Sequence, residues 1–374
     1  MTKNKVAVIH SDSKIESLFT LFPLIISKYS SLFEFIHITS KRAMLVEGEC
    51  VVLVRTFKGN SAFKEDNQRK RDFIKNFKKR FNRVIVLDDG AGSDSLHYEY
   101  MDLVDLYYKG KLLVDKENYL KPMYGSQYFT NYYNSKFGIT DEKVKVRQPP
   151  SNPAVIDKLR VSWNLGYGMY PIPGSTSIKV AREAVSLNFS KALKPWYSYN
   201  YSRMIKELSK PVSFNTKDSV VHARFGCNSL PNTIAYQRQI FLEKCANSKK
   251  VVTGKISQKQ YNNELKKVAA VLSPFGWGEI CFRDFEAILS GALLIKPNMD
   301  MIDTWPNIYL ASTTYIPVDW NGDNLIDTID SINDASQQHL NMVETAREEY
   351  KKALLKVDDR VEKFIEEVSD FHIS

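Results

Sequence analysis

Two doubly wound α/β lobes facing a cleft, followed by a long C-terminal helix, are what this chain predicts, and three observations carry that reading. Short apolar runs alternate with amphipathic stretches through the first hundred residues. The same alternation starts again at Ser219 and continues to Ile295. The chain has 374 residues, 43% hydrophobic and 25% charged, which is room for two domains with sizeable cores.

The elements follow in order. Val6–Ile9 reads as a buried strand and Ile15–Tyr29 as a helix interrupted by Pro23. Phe33–Ile38 and Val51–Val54 are further strands, a basic helix covers Arg69–Arg80, and Val84–Leu87 is the next strand. Strand, helix, strand in this rhythm means a parallel sheet with helices on its faces. Residues 100–210 are less regular and rich in Tyr and Asn, and read as helices and long loops between the lobes. The second alternation runs Ser219–His222 (strand), Ala235–Cys245 (helix), Val251-Val252 (strand), Gln258–Lys267 (helix), Val268–Leu272 (strand), Arg283–Ser290 (helix) and Leu293–Ile295 (strand). Asn333 or Asp334 caps a final helix whose apolar positions Leu340, Val343, Ala346, Tyr350, Leu354 and Val357 keep helical period. The expected division is an N-terminal, acceptor-side lobe over 1–205, a C-terminal, ligand-binding lobe over 206–332 and a helical segment over 333–374.

Composition narrows the function. Residues 301–374 hold 15 acidic and 6 basic side chains, a net of −9, while the whole chain is +9, so the first 300 residues carry +18. A basic body points to an anionic ligand or surface. Within Arg69–Arg80, Phe73, Ile74 and Phe77 recur at helical spacing beneath the charge, which fits either a solvated helix face or docking on membrane headgroups. Nucleic acid is not expected as a partner, because no binding motif accompanies the charge. Cys50, Cys227, Cys245 and Cys281 have no paired spacing and indicate neither a zinc site nor a disulfide frame. No apolar run approaches the ~20 residues of a membrane span, and Val6–Ile9 is too short for a signal-peptide core. The expected location is cytoplasmic, with the inner membrane face as a peripheral site.

The most informative stretch is Ser273-Pro274-Phe275-Gly276-Trp277-Gly278-Glu279, continuing through Arg283-Asp284-Phe285-Glu286-Ala287 to Ser290-Gly291-Ala292-Leu293-Leu294-Ile295-Lys296-Pro297. It reads as a Gly-rich turn between a strand and a helix. Glycines let backbone approach a ligand, and the helix start offers free N–H groups and a positive dipole end to a phosphate. Arg283 adds a cation in the first turn, and Glu286, one turn later, is placed to accept from a ribose or sugar hydroxyl. Arg224 and Lys255 follow strands of the same lobe, where strand ends open on a cleft, and suit phosphate contact. Arg238, within a helix, is a weaker candidate for the same contact.

This segment resembles the donor site of GT-B glycosyltransferases, closest to bacterial group-1-like and exostosin-like families. The resemblance takes in Pro306-Asn307-Ile308-Tyr309, Ser257–Tyr261 and His222–Gly226, roughly a quarter of the chain. It implies transfer of a sugar from a nucleotide-sugar donor to a hydroxyl of a glycan or glycolipid, as in cell-surface polysaccharide or lipopolysaccharide synthesis. It also implies donor contacts at Arg224, Lys255, Gly276, Gly278, Glu279, Arg283 and Glu286, with no bound metal or other cofactor. Retaining group-1 members carry two glutamates eight apart; here Glu279 and Glu286 are seven apart, which leaves the stereochemical outcome open. An inverting transfer needs a general base on the N-terminal lobe. Asp89 and Asp88, at a strand end before Gly90, rank first, and Asp12, after His10 and Ser11, comes next; an ordinary turn is the competing reading for each. A sugar-nucleotide epimerase on the same fold and a non-catalytic glycan- or nucleic-acid-binding protein are the alternatives.

Overall fold

The computed structural model describes residues 5–11, 14–57, 63, 66–125, 127–212, 217–332 and 337–369. In the first lobe, β1 (Val6–His10), α1 (Ile15–Ile26), β2 (Phe33–His37), β3 (Gly48–Val54), α2 (Asn67–Lys78), β4 (Phe81–Asp88), α3 (Tyr98–Met101) and β5 (Leu106–Lys109) follow one another. The chain then passes through β6 (Lys111–Leu113), β7 (Met123–Tyr124), α4 (Tyr128–Phe137), β8 (Val146–Arg147), β9 (Leu159–Val161), α5 (Ser175–Ser186) and α6 (Lys194–Leu208). The second lobe holds β10 (Asp218–His222), α7 (Asn232–Cys245), β11 (Val251–Val252), α8 (Gln258–Leu265), β12 (Val268–Leu272), α9 (Phe282–Leu289), β13 (Leu293–Pro297), β14 (Ile302–Thr304), β15 (Ile316–Val318) and α10 (Leu325–Ser331). Two helices close the chain, α11 (Gln337–Leu355) and α12 (Val357–Val368).

The expected doubly wound α/β architecture is what the chain adopts. One sheet has the order β2-β1-β3-β4-β5-β9 and the other β11-β10-β12-β13-β15, and every pairing in both is parallel. All five residues of β1, β12 and β13 are buried, which is why these strands read as unbroken apolar runs: helices cover both faces. An antiparallel pair, β6 with β14, ties the lobes together. Beside it Asn164 donates to Thr304 and to the Pro306 carbonyl, each at 2.8 Å.

The C-terminal helix breaks at Lys356. Its first part, α11, packs on β13, α9 and α6, whereas α12 turns back onto α1 of the first lobe. Val361, Phe364, Ile365 and Val368 are buried there. Asn333 and Asp334 lie outside the described residues. Of the tyrosines of α6, Tyr197 and Tyr201 are packing groups and Tyr199 is exposed: Tyr197 stacks on Phe22 at 5.0 Å and donates to the Leu18 carbonyl at 2.9 Å, and Tyr201 donates to the Leu354 carbonyl. The basic face of α2 is met by carboxylates. Arg71 grips Asp102 with two hydrogen bonds (2.6 and 2.8 Å), Lys70 pairs with Glu99 and Lys78 with Asp105. Among the described residues no helix is long and apolar enough to cross a membrane.

Candidate active site

The Gly-rich turn between β12 and α9 is held from behind. Asp284, fully buried, accepts from Ser273 Oγ (2.5 Å), the Cys281 amide (2.9 Å) and the Tyr309 hydroxyl (2.7 Å), and pairs with Lys296 Nζ at 3.0 Å. On the other side Gln237 accepts from the Phe275 amide (2.9 Å) and Arg238 donates to the Phe275 carbonyl (2.7 Å). A polar cluster with every member satisfied is rigid, and this one fixes the turn's path. The sequence signal for Asp284 is its place three residues after the helix cap at Cys281, a capping-box spacing.

The glycines earn their positions differently. A Cβ on Gly278 would lie 1.7 Å from the Ala91 carbonyl oxygen of the other lobe, so only glycine permits the lobes to meet there. Next to it Glu279 is buried and accepts from Ser93 N (3.0 Å) and Ser93 Oγ (2.8 Å), a second contact between lobes. A Cβ on Gly276 would meet side chains of its own lobe, the Arg238 guanidinium at 2.9 Å and Cys281 Sγ at 3.5 Å.

Two of the expected donor residues stand together at the front of the turn. Arg283 donates from Nη2 to the Arg224 carbonyl (3.0 Å) and lies 5.7 Å over the Phe225 ring, while its buried Nε has no partner. Glu286 accepts from the Tyr261 hydroxyl at 2.8 Å. Burial raises the Glu286 carboxyl above its ordinary pKa, opposed by the Tyr261 hydroxyl and by Arg283. Arg224 and Lys255 are placed otherwise. Arg224 is clamped on Glu264 through Nε (2.9 Å) and Nη2 (2.8 Å) and also donates to the Thr253 carbonyl. Lys255 is exposed, after Gly254 in its left-handed conformation (φ 86°).

On the facing lobe, Asp88 is buried and accepts from Lys109 Nζ (2.8 Å), the Tyr107 hydroxyl (2.7 Å) and the Gly90 amide (2.7 Å). Asp89 pairs through Oδ2 with Arg55 at 2.7 Å, and its buried Oδ1 has no hydrogen-bond partner. Asp12 lies outside the described residues. A carboxylate that sequence reasoning passed over is Glu16, in the first turn of α1, whose buried Oε2 has no partner.

A cleft of about 460 Å³ lies between the lobes. Glu16, Ala91, Leu165 and Ile172 line it from one side, and Gly276, Gly278, Arg238, Tyr261, Arg283 and Glu286 from the other. Arg224, Lys255, Glu279, Asp88 and Asp89 do not line it. Among the described residues no group of three or more His, Cys, Asp or Glu side chains is placed to hold a metal ion.

No protein-family model matches the chain, and no curated protein matches its sequence. Solved structures give overlaps of low similarity. One is Anabaena HepE in complex with UDP, at 9% identity and a TM-score of 0.41, over 97% of this chain and all of that one. Another is a glycosyltransferase from Rickettsia africae, at 12% and 0.42, over 98% and 100%. A third is an α-glucosyltransferase in complex with UDP, at 10% and 0.44, over 97% and 98%. Likeness at this level assigns no activity to the chain.

Proposed function

We propose that this chain is a GT-B glycosyltransferase that transfers a sugar from a nucleotide-sugar donor to a hydroxyl of a glycan or glycolipid acceptor, in cell-surface polysaccharide synthesis. The observation that carries the reading is the cleft itself: an arginine with a buried, unpartnered Nε stands with Glu286 and Tyr261 on one wall, and a carboxylate, Glu16, with a buried oxygen that lacks a hydrogen-bond partner on the other.

In this reading the donor diphosphate lies against Arg283 and the start of α9, with Arg238 adding a second guanidinium at the cleft wall. These cations take up the charge that grows on the phosphate oxygen as its bond to the anomeric carbon breaks, so a metal is not required for that task. The Glu286–Tyr261 pair receives the ribose or sugar hydroxyls. The acceptor oxygen bonds to the anomeric carbon, its proton passes to Glu16, and the nucleoside diphosphate leaves. Asp89, one step deeper and paired with Arg55, positions this wall through Thr20, whose Oγ1 lies 3.4 Å from Asp89 Oδ2 and 2.9 Å from the Glu16 carbonyl. Closure of the lobes at Gly278 and Glu279 keeps water from the donor.

The test is a thermal-shift panel of UDP-, GDP-, CMP- and dTDP-sugars and their free nucleotides on wild type, Arg283→Ala and Glu16→Gln. A ligand bound only by the folded state raises Tm with occupancy. One nucleotide family should shift the wild type and Glu16→Gln alike and fail to shift Arg283→Ala. Release of nucleotide from that donor should then be about 10²–10⁴-fold slower in Glu16→Gln, the usual contribution of a general base. A wild type that responds to no nucleotide sinks the reading.

A further inference from the structure

The segment that joins α5 to α6 runs along the edge strand β2. Asn188 Oδ1 accepts from the His37 amide (2.6 Å), Ser190 Oγ lies 3.3 Å from His10 Nε2, and Lys194 Nζ donates to Ser30 Oγ (3.0 Å). Asn188 adopts a left-handed conformation (φ 65°) to make its contact, and Ser190 is buried. This anchored segment nevertheless holds two large apolar side chains in solvent: Leu187 is 57% exposed and Phe189 60%. Exposed lysines follow them in the chain: Lys191 is two residues after Phe189 and Lys194 three further on. Lys191 is within electrostatic reach of Lys5 and Lys194, and the acid it also senses, Glu34, is already paired with Arg42. On the turn that carries Arg42, Met44 and Leu45 are likewise exposed.

We propose that this edge of the N-terminal lobe docks on an anionic lipid surface, with Phe189 and Leu187 entering the headgroup boundary and Lys5, Lys191 and Lys194 facing lipid phosphates. Charge complementarity selects the occupant. Rigidly held apolar side chains with exposed lysines beside them are matched by a bilayer that offers hydrocarbon beneath a negative surface. The basic helix α2 is the weaker candidate for the same role, because Arg71, Lys70 and Lys78 are already paired with Asp102, Glu99 and Asp105. The inference does not depend on the reaction proposed above.

Co-sedimentation of the full chain with phosphatidylglycerol-containing vesicles, against pure phosphatidylcholine vesicles, tests it. Binding is expected only to the anionic vesicles and should weaken with salt. Leu187→Asp with Phe189→Asp should reduce affinity about tenfold or more, as should Lys191→Glu with Lys194→Glu. Lys75→Glu on α2 with Lys79→Glu at its C-cap should leave it unchanged. Phe189→Trp, at an exposed position, reads insertion as a blue shift of the added emission, taken as a difference from the wild-type spectrum. Absence of binding to the anionic vesicles, equal loss in the α2 variant, or an unshifted difference emission from the Phe189→Trp variant at vesicle saturation overturns the proposal. So does a wild-type dimer that the Leu187/Phe189 variant converts to a monomer while vesicle binding persists, since the patch then serves a second copy of the chain.

Discussion

The two lobes solve the same local problem with the same parts and put them to different use. In each, a loop leaving the carboxyl end of a parallel strand is braced by a buried lysine–aspartate pair with a tyrosine hydroxyl: Lys296, Asp284 and Tyr309 in one, Lys109, Asp88 and Tyr107 in the other. Behind the Gly-rich turn the pair is scaffold, and the groups that reach the cleft, Arg283 and Glu286, sit one residue before Asp284 and two after it. On the facing lobe the pair consumes the carboxylate that stands at the strand end, and the side that meets the cleft belongs to Glu16. In both lobes the buried aspartate is held within the brace, and in the reading proposed above the chemistry lies beside it.

Breaking either brace should produce the largest effect. Lys296→Met leaves Asp284 buried with three donors and without its paired lysine, and Lys109→Met leaves Asp88 with two, the Tyr107 hydroxyl and the Gly90 amide, and with Lys111 as the nearby cation. Removing one partner of a buried pair costs on the order of 3–5 kcal/mol. Urea unfolding should show losses of this size for each variant, and Lys296→Met combined with Asp284→Asn should recover part of its loss. A loss below about 1 kcal/mol in one lobe alone, the range of an exposed pair, would show that the two braces are alike in composition only.

A second parallel sharpens the comparison. The first strand of each lobe ends in a buried histidine, His10 and His222. Burial holds both imidazoles neutral, with the pKa lowered to about 3 for His10, helped by His37, and to about 4 for His222. Both values lie below the ordinary 6.5. The native state therefore refuses protons that the unfolded chain accepts, so the stability is complete above about pH 6.5 and is lost as pH falls toward about 4 and then 3. Each ring should account for at most roughly 3–5 kcal/mol over that descent. His222→Gln should flatten the upper part of the stability–pH curve, and an unchanged curve would contradict a neutral buried ring there.

The two glycines of the turn separate contact between lobes from contact within one. Gly278→Ala drives a methyl against the Ala91 backbone and should cost about 1–3 kcal/mol, with faster hydrogen exchange at the Ser93 amide as its bond to Glu279 opens. Gly276→Ala meets a side chain, the Arg238 guanidinium at 2.9 Å, and not backbone, and should cost less. Equal penalties would mean that the turn, and not the approach of the lobes, sets the requirement.

Much of the architecture was legible because strands buried on both faces leave unbroken apolar runs, as Val6–Ile9 and Val268–Leu272 do. The Gly-rich turn with Arg283 and Glu286 was legible for a similar reason: all of it lies within one short segment. What escaped depends on contacts between distant positions. Nothing local distinguishes Glu16 from any other first-turn glutamate until the opposite lobe closes over it. Asp88 resembles a reactive carboxylate until Lys109, 21 residues away, arrives. Glu279 likewise reads as a donor ligand, and only the fold brings Ser93 to it across 186 residues.

Arg224 offers the smallest and most discriminating test. Sequence position makes it the equal of Arg283 as a phosphate ligand, but its guanidinium is neutralised by Glu264 in a partly exposed, two-bond pair, whereas Arg283 keeps a free buried Nε at the cleft. A partly solvated pair of this kind contributes at most about 1 kcal/mol to stability. Arg224→Ala should therefore lower Tm slightly and weaken nucleotide binding less than about tenfold, the equivalent of ~1.4 kcal/mol, while Arg283→Ala abolishes it. If calorimetric titration instead finds the two losses equal, Glu264 must release Arg224 when ligand enters, and Glu264→Gln should then bind nucleotide more tightly than wild type.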